Sequence, residues 1–69
     1  MNTKAIKKKM IEKDLSMTDL AKKVGVTVQH LSGIINGKNG LTLQRANLIQ
    51  YALDIPNDEF AYYFLEGSE

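Results

Sequence analysis

The sequence predicts an all-α fold in which five short helices form one compact domain over residues 1–69. Apolar residues recur at helical spacing, as in the series Met17, Leu20, Ala21 and Val24. Residues that cap helix N-termini precede such series, namely Asn2 or Thr3, Ser16, Thr27 and Thr42. No segment shows the alternation of apolar and polar residues that predicts a half-buried strand.

The first two helices are predicted from their apolar spacing and their caps. The first is expected over about residues 3–13, where Ile6 and Met10 lie one turn apart on the face that meets the core. The second is expected to begin after Ser16. Asp19 follows three residues later, so the pair resembles a capping box with the shorter carboxylate.

The spacing of Ala21, Gly25 and Leu31 predicts a helix-turn-helix over about residues 16–37. Alanine near the end of the second helix lets the third helix approach closely. Glycine supplies the positive φ of a tight turn, which other residues adopt only at a cost. Leu31 turns the apolar side of the third helix back onto the second. Because the second helix of such a pair is built to lie in a DNA major groove, this segment also suggests a function.

The third helix, which begins after Thr27, has an outward face without charge. On a helical wheel its buried side consists of Leu31, Ile34 and Ile35. The other side and one shoulder consist of Val28, Gln29, Ser32, Gly33 and Asn36. A merely solvated helix usually has Lys and Glu there, whereas amide groups offer donors and acceptors to base edges.

The fourth helix is predicted over about residues 43–53, with Ala46, Ile49 and Leu53 buried. Pro56 forces the preceding residue out of helical conformation and separates this helix from a final one near residues 57–65. All five aromatic residues follow position 50, namely Tyr51, Phe60, Tyr62, Tyr63 and Phe64. The two phenylalanines are expected to pack on the core. The adjacent Tyr62 and Tyr63 cannot point the same way, so aromatic surface is left for a partner.

The charged residues are unevenly distributed, although the net charge is only +1. All nine basic residues lie in the first 45 positions with three acidic ones, so that this segment has a charge of +6. The remaining residues include five acidic and no basic ones, a charge of −5. Such a chain can present its basic end to phosphate while its acidic end faces away. The run at residues 7–9 is equally typical of a solvated helix face.

The composition argues against several other classes of function. Without cysteine the chain forms no disulfide or thiolate metal site, and its single histidine cannot build a metal site alone. No nucleophile and base occur together, and no glycine-rich phosphate loop is present, so we expect neither an enzyme nor a cofactor. No membrane span or apolar signal segment is recognisable, and a cytoplasmic protein is expected.

Residues 15–38, LSMTDLAKKVGVTVQHLSGIINGK, resemble the helix-turn-helix of the Cro and phage-repressor family, the XRE-type regulators. The shared features are the capped second helix, the Leu-Ala pair at 20–21, Gly25-Val26-Thr27 and the closing Asn36-Gly37-Lys38. Residues 41–43 and 49–60 resemble the later helices of that family. The resemblance implies a lambda-repressor-like fold. It also implies a sequence-specific transcriptional regulator, a repressor that places its third helix in the major groove of an operator.

The resemblance also implies roles for individual residues. The base-facing positions are occupied by Val28, Gln29, Ser32 and Gly33. Gln29 is the strongest candidate, because a side-chain amide can pair bidentately with adenine, and Val28 suits a thymine methyl. The positions that contact phosphate are occupied by Thr27, Asn36 and Lys38. The alternative for Gln29 is an ordinary exposed polar residue.

Three departures from the family pattern bear on these expectations. Met17 stands where many members have glutamine, and Gly33 where a polar or basic residue is frequent. Either the backbone at Gly33 comes very close to DNA, or base reading there is weak. Met10 and Ile35 replace a buried Arg–Glu pair found in many members. Since packed apolar residues often replace such pairs without loss of stability, Met10 and Ile35 are predicted to touch.

Two hypotheses about partners follow. If double-stranded DNA is the partner, one domain reads only a few base pairs, so a weak or DNA-assisted homodimer is expected on half-sites about 34 Å apart. Its contacts would come from the loop after the third helix and from the C-terminal end. The alternative is a protein-interaction module of the same fold, an antitoxin or a modulator of another repressor, which uses its aromatic, acidic C-terminal end.

Overall fold

Four α-helices and a terminal helical segment make up the structure, a computed structural model that describes residues 1–65. The α-helices are α1 (Thr3–Glu12), α2 (Met17–Val24), α3 (Val28–Ile35) and α4 (Leu43–Ala52). The terminal segment consists of a 3₁₀ turn (Asn57–Glu59) and a π-helical turn (Ala61–Leu65). No strand occurs within residues 1–65, so the predicted all-α fold is confirmed. In the same range, no helix is long and apolar enough to cross a membrane.

Each α-helix begins at a residue whose side chain accepts a hydrogen bond from the backbone N–H three positions later. The four N-cap residues are Asn2, Ser16, Thr27 and Thr42, with donor–acceptor distances of 3.0–3.2 Å. At α2 the Asp19 carboxylate also accepts from the Ser16 backbone N–H at 3.1 Å, which completes the predicted capping box. This backbone hydrogen bond, together with one from the Ser16 hydroxyl, lowers the pKa of the Asp19 carboxyl.

Helices α1 and α4 end in the same way, at an aspartate with a left-handed backbone. Asp14 has φ 56° and Asp54 has φ 54°. The next residue in each case donates its N–H to a carbonyl five positions back, Leu15 to Met10 at 2.9 Å and Ile55 to Gln50 at 3.0 Å. This is the hydrogen bond of a Schellman motif, in which glycine usually takes the left-handed position. Both ends therefore place a residue with a Cβ where glycine is preferred.

Replacing Asp14 with glycine is expected to stabilise the protein by about 0.5–1 kcal/mol, because glycine adopts the left-handed conformation without strain. Asp54→Gly is the matched variant. It gains the same relief but loses an ion pair, since Asp54 Oδ2 lies 2.9 Å from Lys13 Nζ. The gain from Asp54→Gly is therefore expected to be the smaller of the two. Urea denaturation of both variants checks this, and a larger gain at Asp54 would contradict it.

The core lies where α2 packs against both α3 and α4, and the π-helical turn packs against α1. Its largest fully buried side chains are Ile6, Leu20, Leu31, Ile34, Ile35, Ile49 and Leu53. Met10 is buried in the same cluster as Ile35, which agrees with an apolar replacement of a buried ion pair. The Thr3 hydroxyl donates to the Ile35 carbonyl at 2.6 Å and thereby joins the start of α1 to the end of α3.

The terminal segment occupies the predicted residues, but it is not α-helical. Over so few residues, the spacing of apolar side chains predicts a helical segment but does not specify whether its hydrogen bonds span three, four or five positions. The side chains follow the prediction: Phe64 is buried, and its ring centroid lies 4.8 Å from that of the half-buried Phe60. Tyr63 is buried whereas Tyr62 is 50% exposed, so the two tyrosines diverge as expected.

Candidate nucleic-acid interface

The turn between α2 and α3 has the geometry that its sequence predicts. Gly25 has φ 85°, and its N–H donates to the Ala21 carbonyl at 2.8 Å. No atom lies within 4 Å of the position that a Cβ would take there, so backbone conformation, and not space, requires glycine. Ala21 and Leu31 are buried between the helices. α2 (Met17–Val24) and α3 (Val28–Ile35) thus form a helix-turn-helix around this tight turn, and α3 is held with one side against the core.

The opposite side of α3, which we term the outward face, consists of Val28, Gln29, Ser32, Gly33 and Asn36. Gln29 and Asn36 are exposed, and Val28 is 41% exposed. Ser32 and Gly33 are half-buried. None of these residues is charged, and no charged side chain hydrogen bonds to them among residues 1–65. The structure thus brings the four residues predicted to face bases onto one surface, together with Asn36.

Ser32 and Asn36 are linked on the outward face. The Asn36 Nδ2 donates to the Ser32 Oγ at 3.3 Å, and the Asn36 backbone N–H donates to the Ser32 carbonyl at 3.0 Å. The first of these bonds links the two side chains and orients them relative to each other. Because the Ser32 oxygen is the acceptor of the side-chain bond, its hydroxyl group can still donate a hydrogen bond.

The loop after α3 folds back over Gly33. The backbone N–H groups of Lys38 and Asn39 both donate to the Gly33 carbonyl, at 2.8 and 3.0 Å. The Asn39 Nδ2 also donates to the His30 carbonyl at 3.3 Å. A Cβ on Gly33 would lie 2.8 Å from the Asn39 Cγ and would collide with the amide. The absence of a side chain at position 33 thus leaves room for the Asn39 amide, an arrangement that the sequence does not predict.

Two lysines lie near the C-terminal end of α3 without an ion pair to any residue in the described range. Lys38 is exposed in the loop that follows α3. Lys4 is exposed next to Thr3, whose hydroxyl bonds to the last carbonyl of α3. At the far end of α1, by contrast, Lys13 is paired with Asp54 at 2.9 Å, and this hydrogen bond lowers the pKa of the Asp54 carboxyl.

The remaining predicted phosphate contact, Thr27, is the N-cap of α3. Its Oγ1 accepts from the His30 backbone N–H at 3.0 Å, so its hydroxyl is oriented at the helix N-terminus. An N-terminus of this kind favours anions, because backbone N–H groups point out of the helix. Among the acidic residues of the C-terminal half, Glu66 and Glu69 lie outside the described residues, and Asp54, Asp58 and Glu59 are exposed.

Three residues join this surface without being predicted from the sequence, namely Thr3, Lys4 and Asn39. Thr3 is 32 positions from Ile35, and no spacing rule relates the two. Asn39 reaches His30 across nine positions, through a loop whose path no periodicity specifies. The available signal was indirect: an unexplained Gly33 inside a helix indicates that something approaches its backbone closely.

A family model described as "Helix-turn-helix" matches residues 6–60 of the chain. The matched segment runs from the first buried residue of α1 to Phe60, so it includes the whole turn and the outward face. No curated protein and no solved structure gives a significant match.

Proposed function

The chain belongs to the helix-turn-helix family of Cro/C1-type DNA-binding regulators, and from this premise we propose that it is a sequence-specific repressor. It acts by occupying an operator with α3 in the major groove. The outward face of α3 is the observation that supports this proposal most strongly. It is uncharged and rich in hydrogen-bonding groups, and one of its ends is flanked by lysines that form no ion pair with any residue in the range 1–65. Such a surface can read bases while its surroundings bind phosphate.

We assign roles to individual residues from the family positions they match, and their placement on α3 supports the assignments. Gln29 is exposed at the centre of the outward face and is assigned to adenine, with which an amide forms two hydrogen bonds. Val28, one residue earlier, suits a thymine methyl, and Ser32 adds a hydroxyl donor. Thr27 and Lys38 are assigned to phosphates at the two ends of α3, and Asn36 to a phosphate beside Lys38.

Gln29→Ala and Lys38→Ala are expected to weaken binding in different ways. Loss of the bidentate amide removes about 1–3 kcal/mol of discrimination at one base pair. Loss of the lysine weakens binding to all sequences alike and reduces the slope of log affinity against log salt by about one. Affinities for an operator and its single-base variants, measured at several salt concentrations, separate the two effects.

Matched controls are available on α1 and α4. Asn47 is an exposed amide on α4, and Lys13 is already paired with Asp54, so alanine at either position is expected to leave DNA affinity unchanged. If Gln29→Ala and Lys38→Ala also leave the activity of the protein unchanged, DNA is not its target and the proposal fails.

A second candidate function is favoured by a different surface. An open apolar groove of about 410 Å³ lies between the α3–α4 loop and the terminal segment, and its lining includes Leu41, Leu43, Phe60 and Leu65. Leu43 and Leu65 are exposed beside it. A module that binds another protein, as an antitoxin or a modulator of a repressor does, would use such a groove. It would retain its activity when Gln29 and Lys38 are replaced.

A further inference from the structure

We propose that Asn39, in the loop after α3, supplies the base-reading amide at the position where Gly33 has no side chain. The inference rests on the proposed function and names a residue that sets its specificity. The Asn39 amide occupies the space into which any side chain at position 33 would extend, since a Cβ there would lie 2.8 Å from the Asn39 Cγ. The outward face therefore has a second central polar side chain besides Gln29, and it is contributed by the loop.

Hydrogen bonds fix this amide in place. Its Nδ2 donates to the His30 carbonyl at 3.3 Å. Its own backbone N–H donates to the Gly33 carbonyl at 3.0 Å, beside the N–H of Lys38 at 2.8 Å. A side chain that is oriented before binding loses less conformational entropy when it pairs with a base. Glycine at position 33 is thus the condition for the loop residue to reach the face of the helix.

The groups that Asn39 leaves unused define the base it suits. An amide has two N–H donors and one oxygen acceptor, and the His30 carbonyl takes one donor. Neither the other donor nor Oδ1 has a hydrogen-bond partner within residues 1–65, and the side chain is exposed. Adenine presents an N6 donor and an N7 acceptor in the major groove. The remaining N–H and Oδ1 can bond to both, so adenine is the base that we assign to Asn39.

The position of this second adenine follows from the helix geometry. Residues 29 and 33 lie one turn apart on the same side of α3, with a rise of about 6 Å between them. Successive base pairs are separated by about 3.4 Å. If the helix axis follows the groove, Asn39 reads a base pair about two steps from the one read by Gln29. If Asn39 only held the loop against α3, its replacement would instead weaken binding to all DNA sequences equally.

Selection of bound sequences from a random duplex pool tests the assignment. The protein is expected to select a motif with two adenine positions about two steps apart. Asn39→Ala is expected to lose the preference at one of them, on the order of 10- to 100-fold, and to keep the other. Asn47→Ala is the matched amide control on α4 and is expected to select the motif of the parent protein. A motif that Asn39→Ala leaves unchanged at every position would overturn the inference while the proposed function stands.

A second measurement needs no variant. Each adenine of the selected motif is replaced in turn by an analogue that lacks N7, and the affinity of the parent protein is measured. Two sensitive positions are expected, one for each amide. Sensitivity at a single position overturns the assignment even if Asn39→Ala fails to fold, which loss of helical circular dichroism would reveal. If the parent protein selects no motif at all, the proposed function fails and the inference fails with it.

Discussion

Replacing Ile35 with glutamate is expected to unfold the protein at neutral pH. Ile35 is completely buried in the cluster that contains Met10, and no basic side chain is buried within residues 1–65 to pair with a carboxylate. An uncompensated buried charge costs about 3–5 kcal/mol. A domain of this size has a total stability of roughly 3–10 kcal/mol. Most or all of the folding free energy is therefore lost, which far-UV circular dichroism and thermal denaturation measure directly.

The second half of this experiment restores the partner. In the family that this sequence resembles, many members have arginine and glutamate at the positions of Met10 and Ile35. Met10→Arg added to Ile35→Glu is therefore expected to recover a cooperative transition. Ile11→Glu is the matched control, because it places the same side chain one residue from Met10 at a site that is 79% exposed. That control is expected to change stability little. If the double variant is no more stable than Ile35→Glu, the two side chains do not meet in the core.

The features of the fold that the sequence predicts are those set by local rules. The caps Ser16, Thr27 and Thr42 are predictable because each satisfies a backbone N–H three positions away, whatever the rest of the chain does. Gly25 is predictable because a left-handed turn favours glycine. The buried sides of α2 and α3 follow from a period of 3.6 residues. These rules suffice to place Gln29 outward.

The features that the sequence leaves open depend on the path of the chain between helices. The contact between Asn39 and Gly33 requires the α3–α4 loop to turn back on α3, and no propensity specifies that return. The bond from Thr3 to Ile35 requires α1 to pack against the end of α3. The left-handed aspartates are also unexpected. The sequence predicts that Pro56 separates the fourth helix from the last one, whereas α4 already ends before the left-handed Asp54. The sequence therefore predicts the site residues on α3 itself, but not the contacts that Thr3 and Asn39 make beside the helix.

The affinity for an operator is expected to fall steeply with salt, by roughly 100-fold per subunit between about 50 and 200 mM, if each subunit neutralises about four phosphates. The physical reason is the release of counterions from DNA, which gives a slope near −3.6 per subunit in log affinity against log salt. Two subunits on one operator double the slope to about −7, and the fall becomes on the order of 10⁴-fold. Fluorescence anisotropy with a labelled operator measures this slope.

The same titration decides how many subunits bind together. Inserting about five base pairs between two half-sites turns the second half-site to the opposite side of the duplex. If a weak or DNA-assisted dimer binds, the insertion is expected to reduce the slope to the value for one subunit, because the second α3 no longer reaches its groove. On the operator without the insertion, Lys38→Ala is expected to reduce the magnitude of the doubled slope by about two, because both subunits lose a contact. Lys13→Ala is expected to leave that slope unchanged. A slope near zero on every duplex would exclude DNA as the partner, and a slope insensitive to the insertion would exclude the dimer alone.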